Sequence, residues 1–189
     1  MAKIETIIPS LIYWETGVRD KKASLPELFA KARAKGVAFD PDDAGGFTVV
    51  GITMRTFRDF RRMKGMPDPE PGDLAAIGYD EWLAVLRTLF WNRWQADRIQ
   101  SAGVAHMLVD WVWTSGVNGI RIPQKVLGVN PDGIVGEVTL GEVNRRNPAG
   151  LFEALRQARL DFIGSICRQR PANLKFRKGW IRRINDIRL

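Results

Sequence analysis

Ile4, Ile7, Ile8, Leu11, Ile12 and Trp14 recur at helical spacing, so the chain opens with a helix whose apolar stripe faces a core. Gly17 supplies a stop, because glycine readily takes the left-handed conformation that ends a helix. Pro9 either sits in the first half of that helix or kinks it. In "SLPELFAKARAKG", Ser24 and Glu27 form a capping box that starts a second helix, and Gly36 closes it. "TMRTFRDFRRMKG" reads as a short basic helix and "MPDPEPGD" as a proline-rich turn. "YDEWLAVLRTLFWNRWQADRI" reads as one long helix with Asp80 as its N-cap.

"SAGVAHMLVDWVWTSG" is apolar almost all round, which predicts a central helix. "IPQKVLG" predicts a short helix ending at Gly128, "VNPDGIVGEVT" a glycine-rich turn, and "LGEVNRR" another helical piece. Asn147 and Pro148 are the cap and first position of a long helix over "NPAGLFEALRQARLDFIGSICRQR". "PANLKFRKGWIRRIND" finishes the chain. No alternating run is long enough for a large sheet, and only "GGFTVVGIT" has the β-favouring residues for a small hairpin. The expected class is mainly α with at most that hairpin. There is no internal repeat. The one boundary signal lies near Ala96 to Ala102, dividing residues 1–96 from 97–189, with the two regions packed as one compact unit.

The 189 residues suit one domain, or one with a small partner. Cys167 is the sole cysteine, which excludes an intramolecular disulfide, and its apolar helical setting predicts a buried structural thiol. His106 is the sole histidine and is expected in the core. One of each cannot build a zinc site of the usual kind, so no metal and no cofactor is expected. Acid–base chemistry falls to Asp and Glu. Five tryptophans lie between Trp82 and Trp113; the core is their expected place, with sugar stacking as the alternative. Asp110, within "LVDWVW", is expected to be buried and hydrogen-bonded to backbone.

A net charge of +8 draws polyanions: nucleic acid, an anionic membrane or an acidic wall polymer. Basic residues gather at "RDFRRMK" and "KFRKGWIRRI". No segment reaches the roughly 18 apolar residues that span a bilayer, so stable membrane insertion is not expected. The opening segment carries Glu5 inside its apolar run and lacks a small-residue cleavage pattern. Synthesis in the cytoplasm without a Sec signal is the expectation.

Candidate chemistry concentrates in two places. "DPDDAGGFTVVGIT", Asp40 to Thr53, packs three carboxylates into four positions, then two glycines, then an apolar segment. Glu15 stands at the C-terminal end of the first helix, where the partial negative charge disfavours ionisation. Trp14 and Ile12 beside it would desolvate it further, and both effects raise a pKa, as a general acid requires. Asp43, beside the backbone N–H groups of Gly45–Gly46, would stay ionised, and Thr48 could share a water with it. One raised and one ordinary carboxylate is the division needed to hydrolyse a glycosidic bond. Asp43 could instead be a turn aspartate, with Asp40 as the rival second carboxylate, and Thr48 could serve strand packing. "DDAGGFT" lacks the lysine and spacing of a phosphate-binding loop.

The pair "YWETG" and "DPDDAGGFTVVGIT" resembles glycoside hydrolase family 108, whose members are N-acetylmuramidases with a lysozyme-like α-helical fold. "FWNRWQADRI", "VAHMLVDWVWTSGVNGIRIPQKVLGVNPDGIVGEVTL" and "RPANLKFRKGWIRRI" resemble the peptidoglycan-binding region that follows the catalytic part in that family. The resemblance implies cleavage between N-acetylmuramic acid and N-acetylglucosamine, by analogy with inversion, and no cofactor. It makes Glu15 the catalytic acid, Asp43 the second carboxylate and Thr48 the matching threonine. Asp40 becomes a structural or substrate-orienting residue, and Gly45 and Gly46 allow close approach of the glycan. The implied partners are peptidoglycan strands and a holin or secretion apparatus, not nucleic acid. The site of action is then the periplasm or wall, in phage or prophage lysis (an endolysin) or as a secretion activator.

Two positions depart from the family pattern. Thr16 replaces a glycine after the glutamate, and residues 18–36 are inserted between Glu15 and Asp43. These keep two other readings in play: a catalytically idle wall-binding module, and a nucleic-acid-binding helical protein suggested by charge alone.

Overall fold

A computed structural model describes residues 1–35 and 47–189, and the backbone of 38–39. The chain is mainly α and forms two compact units, Ile4–Leu89 and Met1–Lys3 with Phe90–Leu189.

In the first unit a short 3₁₀ turn, Ile4–Thr6, leads into α1, Ile8–Thr16. Ile4, Ile7, Ile8, Leu11 and Ile12 are all buried, as their spacing predicts. Each fully buried side chain of this size contributes about 1.5–3 kcal/mol. Pro9 falls in the first turn of α1, where an N–H has no helical partner, so it needs no kink. Gly17 ends α1 at φ 70°, with its N–H on the Tyr13 carbonyl.

α2, Leu25–Ala34, begins with the predicted capping box of Ser24 and Glu27. It is no loose appendage. Leu28, Phe29 and Ala32 are buried, and Phe29 meets the rings of Tyr79 and Trp82 at 5.9 and 5.4 Å. Arg33 donates to the carbonyls of Ala76 and Ile77. The segment 18–36 thereby contributes to this unit's core.

The hairpin expected at "GGFTVVGIT" is present as β2, Phe47–Val49, and β3, Ile52–Thr53. A third strand, β1, Ala38–Phe39, pairs with β2 and makes a three-stranded antiparallel sheet. Val49 pairs with Ile52, so Val50 and Gly51 form a two-residue turn, both with positive φ, 44° and 78°. That is unfavourable for a β-branched residue. The Trp82 indole N–H holds the Val50 carbonyl at 3.0 Å and fixes the turn against α5, Tyr79–Leu86.

Thr53 caps α3, Met54–Met63, accepting from the Thr56 N–H. The proline-rich segment holds a one-turn helix, α4, Pro71–Ala75, where a turn was expected; Pro71 at its first position and Asp73 bonded back to the Glu70 N–H stabilise it. α5 spans Tyr79–Leu86.

Here the expected long helix fails. Past Leu86 the backbone widens into a π turn, Arg87–Trp91, then tightens into 3₁₀ turns at Asn92–Trp94 and Ala96–Arg98. Gln95 between them is left-handed, φ 47°. The change of winding lets Trp91 and Trp94 both bury completely, which one straight stripe does not require. The N-cap of α5 is Gly78; Asp80 lies in the first turn, where a carboxylate still favours the helix dipole.

In the second unit α6, Ala102–Ser115, is the buried centre. α7, Asn118–Leu127, starts earlier than expected and carries Pro123 inside it. Gly119 permits the close contact of the two helices, since a Cβ there would come within 2.4 Å of the Val112 backbone. α8 is Glu137–Arg145, α9 Pro148–Gln169 with Asn147 as its cap, and α10 Leu174–Asp186. "VNPDGIVG" is the expected turn, pinned by Gln124, whose side chain bonds Asp132, Gly133 and Ile134. Cys167 is buried, as expected.

Candidate active site

α1 delivers Glu15 to its last turn, half-buried. Thr16 is the last residue of that helix. Its Oγ1 donates to the Ile12 carbonyl at 2.7 Å and accepts from the Val18 N–H at 3.2 Å. The hydroxyl ties the last turn to the outgoing chain, while Gly17, next in sequence, supplies the left-handed residue that ends the helix. Trp14, half-buried, meets Tyr13 edge to face at 5.2 Å, and the Arg19 guanidinium lies 3.8 Å from the centre of the Tyr13 ring.

Lys35 is a neighbour that sequence reasoning missed. Its ammonium reaches the Thr16 carbonyl at 3.4 Å, from just past the end of α2. A cation at a helix C-terminus is favourable. The only sequence signal was its place at the end of the second helix, which says nothing of where that helix docks.

Thr48 is the middle residue of β2, half-buried, in register with Ala38 on one side and Thr53 on the other. Cross-strand partners share a face. Thr53 caps α3, so the Thr48 pair stands at the positive end of that helix. Glu15 and Thr48 belong to the same compact unit. Asp40, Asp43, Gly45 and Gly46 lie outside the described residues. Among the described residues no three His, Cys, Asp or Glu side chains gather to hold a metal ion.

The second unit carries a different charge cluster. Asp110, 1% exposed, accepts from Arg159 at 2.6 Å and from Arg183 at 2.7 Å. Its partners are two arginines rather than the backbone groups expected from sequence. Burial pushes its carboxyl up, yet the charges of Arg183 and Arg159 outweigh burial and hold it well below the usual range. Burial lowers the pKa of His106, one turn earlier on α6, and its Nε2 meets no partner among the described residues. Trp82, Trp91, Trp94 and Trp111 are wholly buried, which removes them from sugar stacking; Trp113 is half-buried against Phe90.

Residues 32–116 match the family model Glycosyl hydrolase 108, and residues 118–185 match Predicted Peptidoglycan domain. A helical hydrolase region followed by a wall-polymer region defines a glycoside hydrolase directed at peptidoglycan. Over residues 32–116 the chain is similar to glycosyl hydrolase family 108, and the match to the predicted peptidoglycan domain follows directly behind it. Its fold is similar to the solved structure of SagA from Brucella abortus, with a TM-score of 0.68 and 28% sequence identity over 85% of this chain and 91% of that one. No curated protein matches the sequence. The family match takes in Asp40, Asp43 and Thr48 and begins downstream of Glu15.

Proposed function

We propose that the protein is an N-acetylmuramidase that cuts glycan strands between N-acetylmuramic acid and N-acetylglucosamine. The placement of Glu15 carries this reading: a half-buried carboxylate in the last turn of α1, in the same unit as the strand that bears Thr48. Protonated Glu15 gives its proton to the leaving oxygen. Positive charge develops on the sugar ring. Asp43 stabilises it, orients a water with Thr48, or does both. Asp40, Gly45 and Gly46 shape the approach of the glycan. An inverting outcome requires the two carboxyl groups to stand about 6.5–9.5 Å apart, and a retaining one about 5–5.5 Å.

The enzyme reaches the periplasm or wall after release from the cytoplasm, through a holin in phage or prophage lysis or beside a secretion apparatus. Its net charge of +8 holds it on an anionic envelope.

Glu15→Gln tests the assignment. It is expected to lower cleavage of purified sacculi by about 10²–10⁴-fold, the usual share of a general acid, with an unchanged circular dichroism spectrum. Released muropeptides of the wild type, read by mass spectrometry, end in reducing muramic acid. Full activity in Glu15→Gln overturns the assignment. One observation favours a second reading, an idle wall-binding module: the family match excludes Glu15. Binding of wild-type protein to sacculi without solubilisation would establish that module.

A further inference from the structure

Between Asp161 and Asp186 the sequence holds no acidic residue, and cations crowd the interval. α9 ends within it, and a 3₁₀ turn, Pro171–Asn173, links α9 to α10. The corner is tied down: the Asn173 side chain donates to the Ile166 carbonyl at 3.1 Å, and its N–H to the Arg170 carbonyl at 3.0 Å. Residues 168–172 and 174–179 are nevertheless all exposed, so the corner offers a projecting surface rather than a groove. Arg168, Arg170, Arg177 and Lys178 lie on it, and Arg182 is exposed one turn further along α10. None of these five pairs with a carboxylate among the described residues.

Two large apolar side chains stand among these cations. Leu174 is 57% exposed and Phe176 38%, the latter held in place by stacking on Trp180, ring centres 5.6 Å apart. The helix itself gains nothing from the arrangement. The N-terminal end of a helix is partially positive and favours anions. The first five residues of α10 include Arg177's neighbour Phe176, Arg177 and Lys178 but no acid, and no side chain caps that end. Local rules broken without an internal gain are the mark of a functional surface. A partner bearing negative charge offsets both the crowded cations and the disfavoured helix end.

We propose that this corner docks the protein on a bilayer rich in anionic phospholipid. Lysine and arginine set around exposed leucine and phenylalanine is the chemistry of a helix that lies at a membrane interface. The headgroup phosphates meet the exposed cations, and Leu174 and Phe176 enter the boundary between headgroups and acyl chains. A nucleic acid or a charged polymer would answer the cations but give an aliphatic side chain nothing to enter. The docking is peripheral, since among the described residues no helix is long and apolar enough to cross a membrane. Each cation held near such a surface raises affinity by about fivefold, and salt screens the effect.

The test is co-sedimentation of the full-length protein with phosphatidylcholine vesicles, with and without about 30 mol% phosphatidylglycerol, at low and high salt. The anionic vesicles are expected to bind about tenfold more tightly or better at low salt, with the preference shrinking at high salt. Arg177→Gln combined with Lys178→Gln is expected to weaken that binding about 30-fold at an unchanged unfolding midpoint. The same charge removed elsewhere, in Lys21→Gln combined with Lys22→Gln, is expected to weaken it less than about threefold. Leu174→Ser keeps the charge and is expected to weaken it about fivefold. Equal binding to neutral and anionic vesicles overturns the proposal, as does unaltered binding in either folded corner variant. A single-stranded oligonucleotide that binds as tightly as the anionic vesicles, and loses that affinity in the Arg177 and Lys178 variant, assigns the corner to nucleic acid and likewise overturns it. Sacculus cleavage is read separately in Glu15→Gln, which is expected to bind vesicles as the wild type does.

Discussion

Trp94 donates its indole N–H to the Gly119 carbonyl at 3.2 Å, and that carbonyl is the one Pro123 leaves without a helical partner. A proline inside a helix removes the N–H that would bond four residues back. Here a tryptophan, wholly buried, supplies the missing donor. Trp94→Phe is therefore expected to cost about 1–3 kcal/mol for the orphaned carbonyl, besides the lost packing. In a Pro123→Ala background the new N–H at residue 123 pairs with Gly119, so the same substitution is expected to cost less. Urea unfolding of the four proteins of that cycle measures the coupling.

Asp110 sets the acid limit of the second unit. Its folded pKa is depressed by Arg183 and Arg159 against the opposing effect of burial. A depressed acid contributes stability above its unfolded value, about 4, and loses it as pH falls through the folded value. Asp110→Asn leaves two buried guanidiniums without a counter-charge and is expected to cost about 3–5 kcal/mol near neutrality. The gap between wild type and variant should be constant above about pH 4 and narrow at more acid pH. A gap that does not narrow would show that charge at Asp110 is immaterial.

His106 acts in a higher window. Burial holds its pKa down; Asp110 and Asp186 raise it in part, and Arg183 and Arg159 lower it. Below about pH 6.5 the unfolded chain takes a proton that the folded one resists, so stability falls as pH drops from there. The slope is at most about 1.4 kcal/mol per pH unit. His106→Gln is expected to flatten the stability curve between about pH 5 and 7. Thermal unfolding across that range reads it directly.

What the sequence disclosed was local. The Ser24–Glu27 box, Gly17, Gly128 and the Asn147–Pro148 start are signals a helix end needs within a few residues, and each marks a real end. The failures depend on distant partners. Gln95 turns left-handed where its side chain bonds the Val135 carbonyl and Arg98, and no periodicity announces that break. Pro123 reads as a helix start because its partner Trp94 is 25 residues before Gly119. Arg159 and Arg183 lie 49 and 73 residues from Asp110, so only folding reveals the trio. For the candidate site, motif order pointed to Glu15 and Thr48, while Lys35 became visible only once α2 had docked.

α2 offers a sharper test of packing. A detachable overhang would tolerate truncation of its inner face. Phe29, 3% exposed against Tyr79 and Trp82, says otherwise. Phe29→Ala is expected to destabilise the first unit by about 3–5 kcal/mol, measured by chemical denaturation. Lys31→Ala removes only an exposed pair with Asp20 and should change stability by at most about 1 kcal/mol.

The second carboxylate is the remaining question of the proposed mechanism, and paired substitutions decide it. If Asp43 stabilises the charged sugar or directs the water, Asp43→Asn removes most cleavage of sacculi, while Asp40→Asn leaves more. The reverse order would transfer the role to Asp40. Thr48 discriminates further. As a water-positioning hydroxyl in the centre of β2, it should tolerate Thr48→Ser, which keeps the oxygen, and lose activity in Thr48→Val, which keeps the shape. If Thr48 only packs the strand, Thr48→Val is as active as wild type and Thr48→Ser is the less stable of the two, since valine favours strands. Initial rates of sacculus clearing, with unfolding midpoints measured alongside, separate these outcomes.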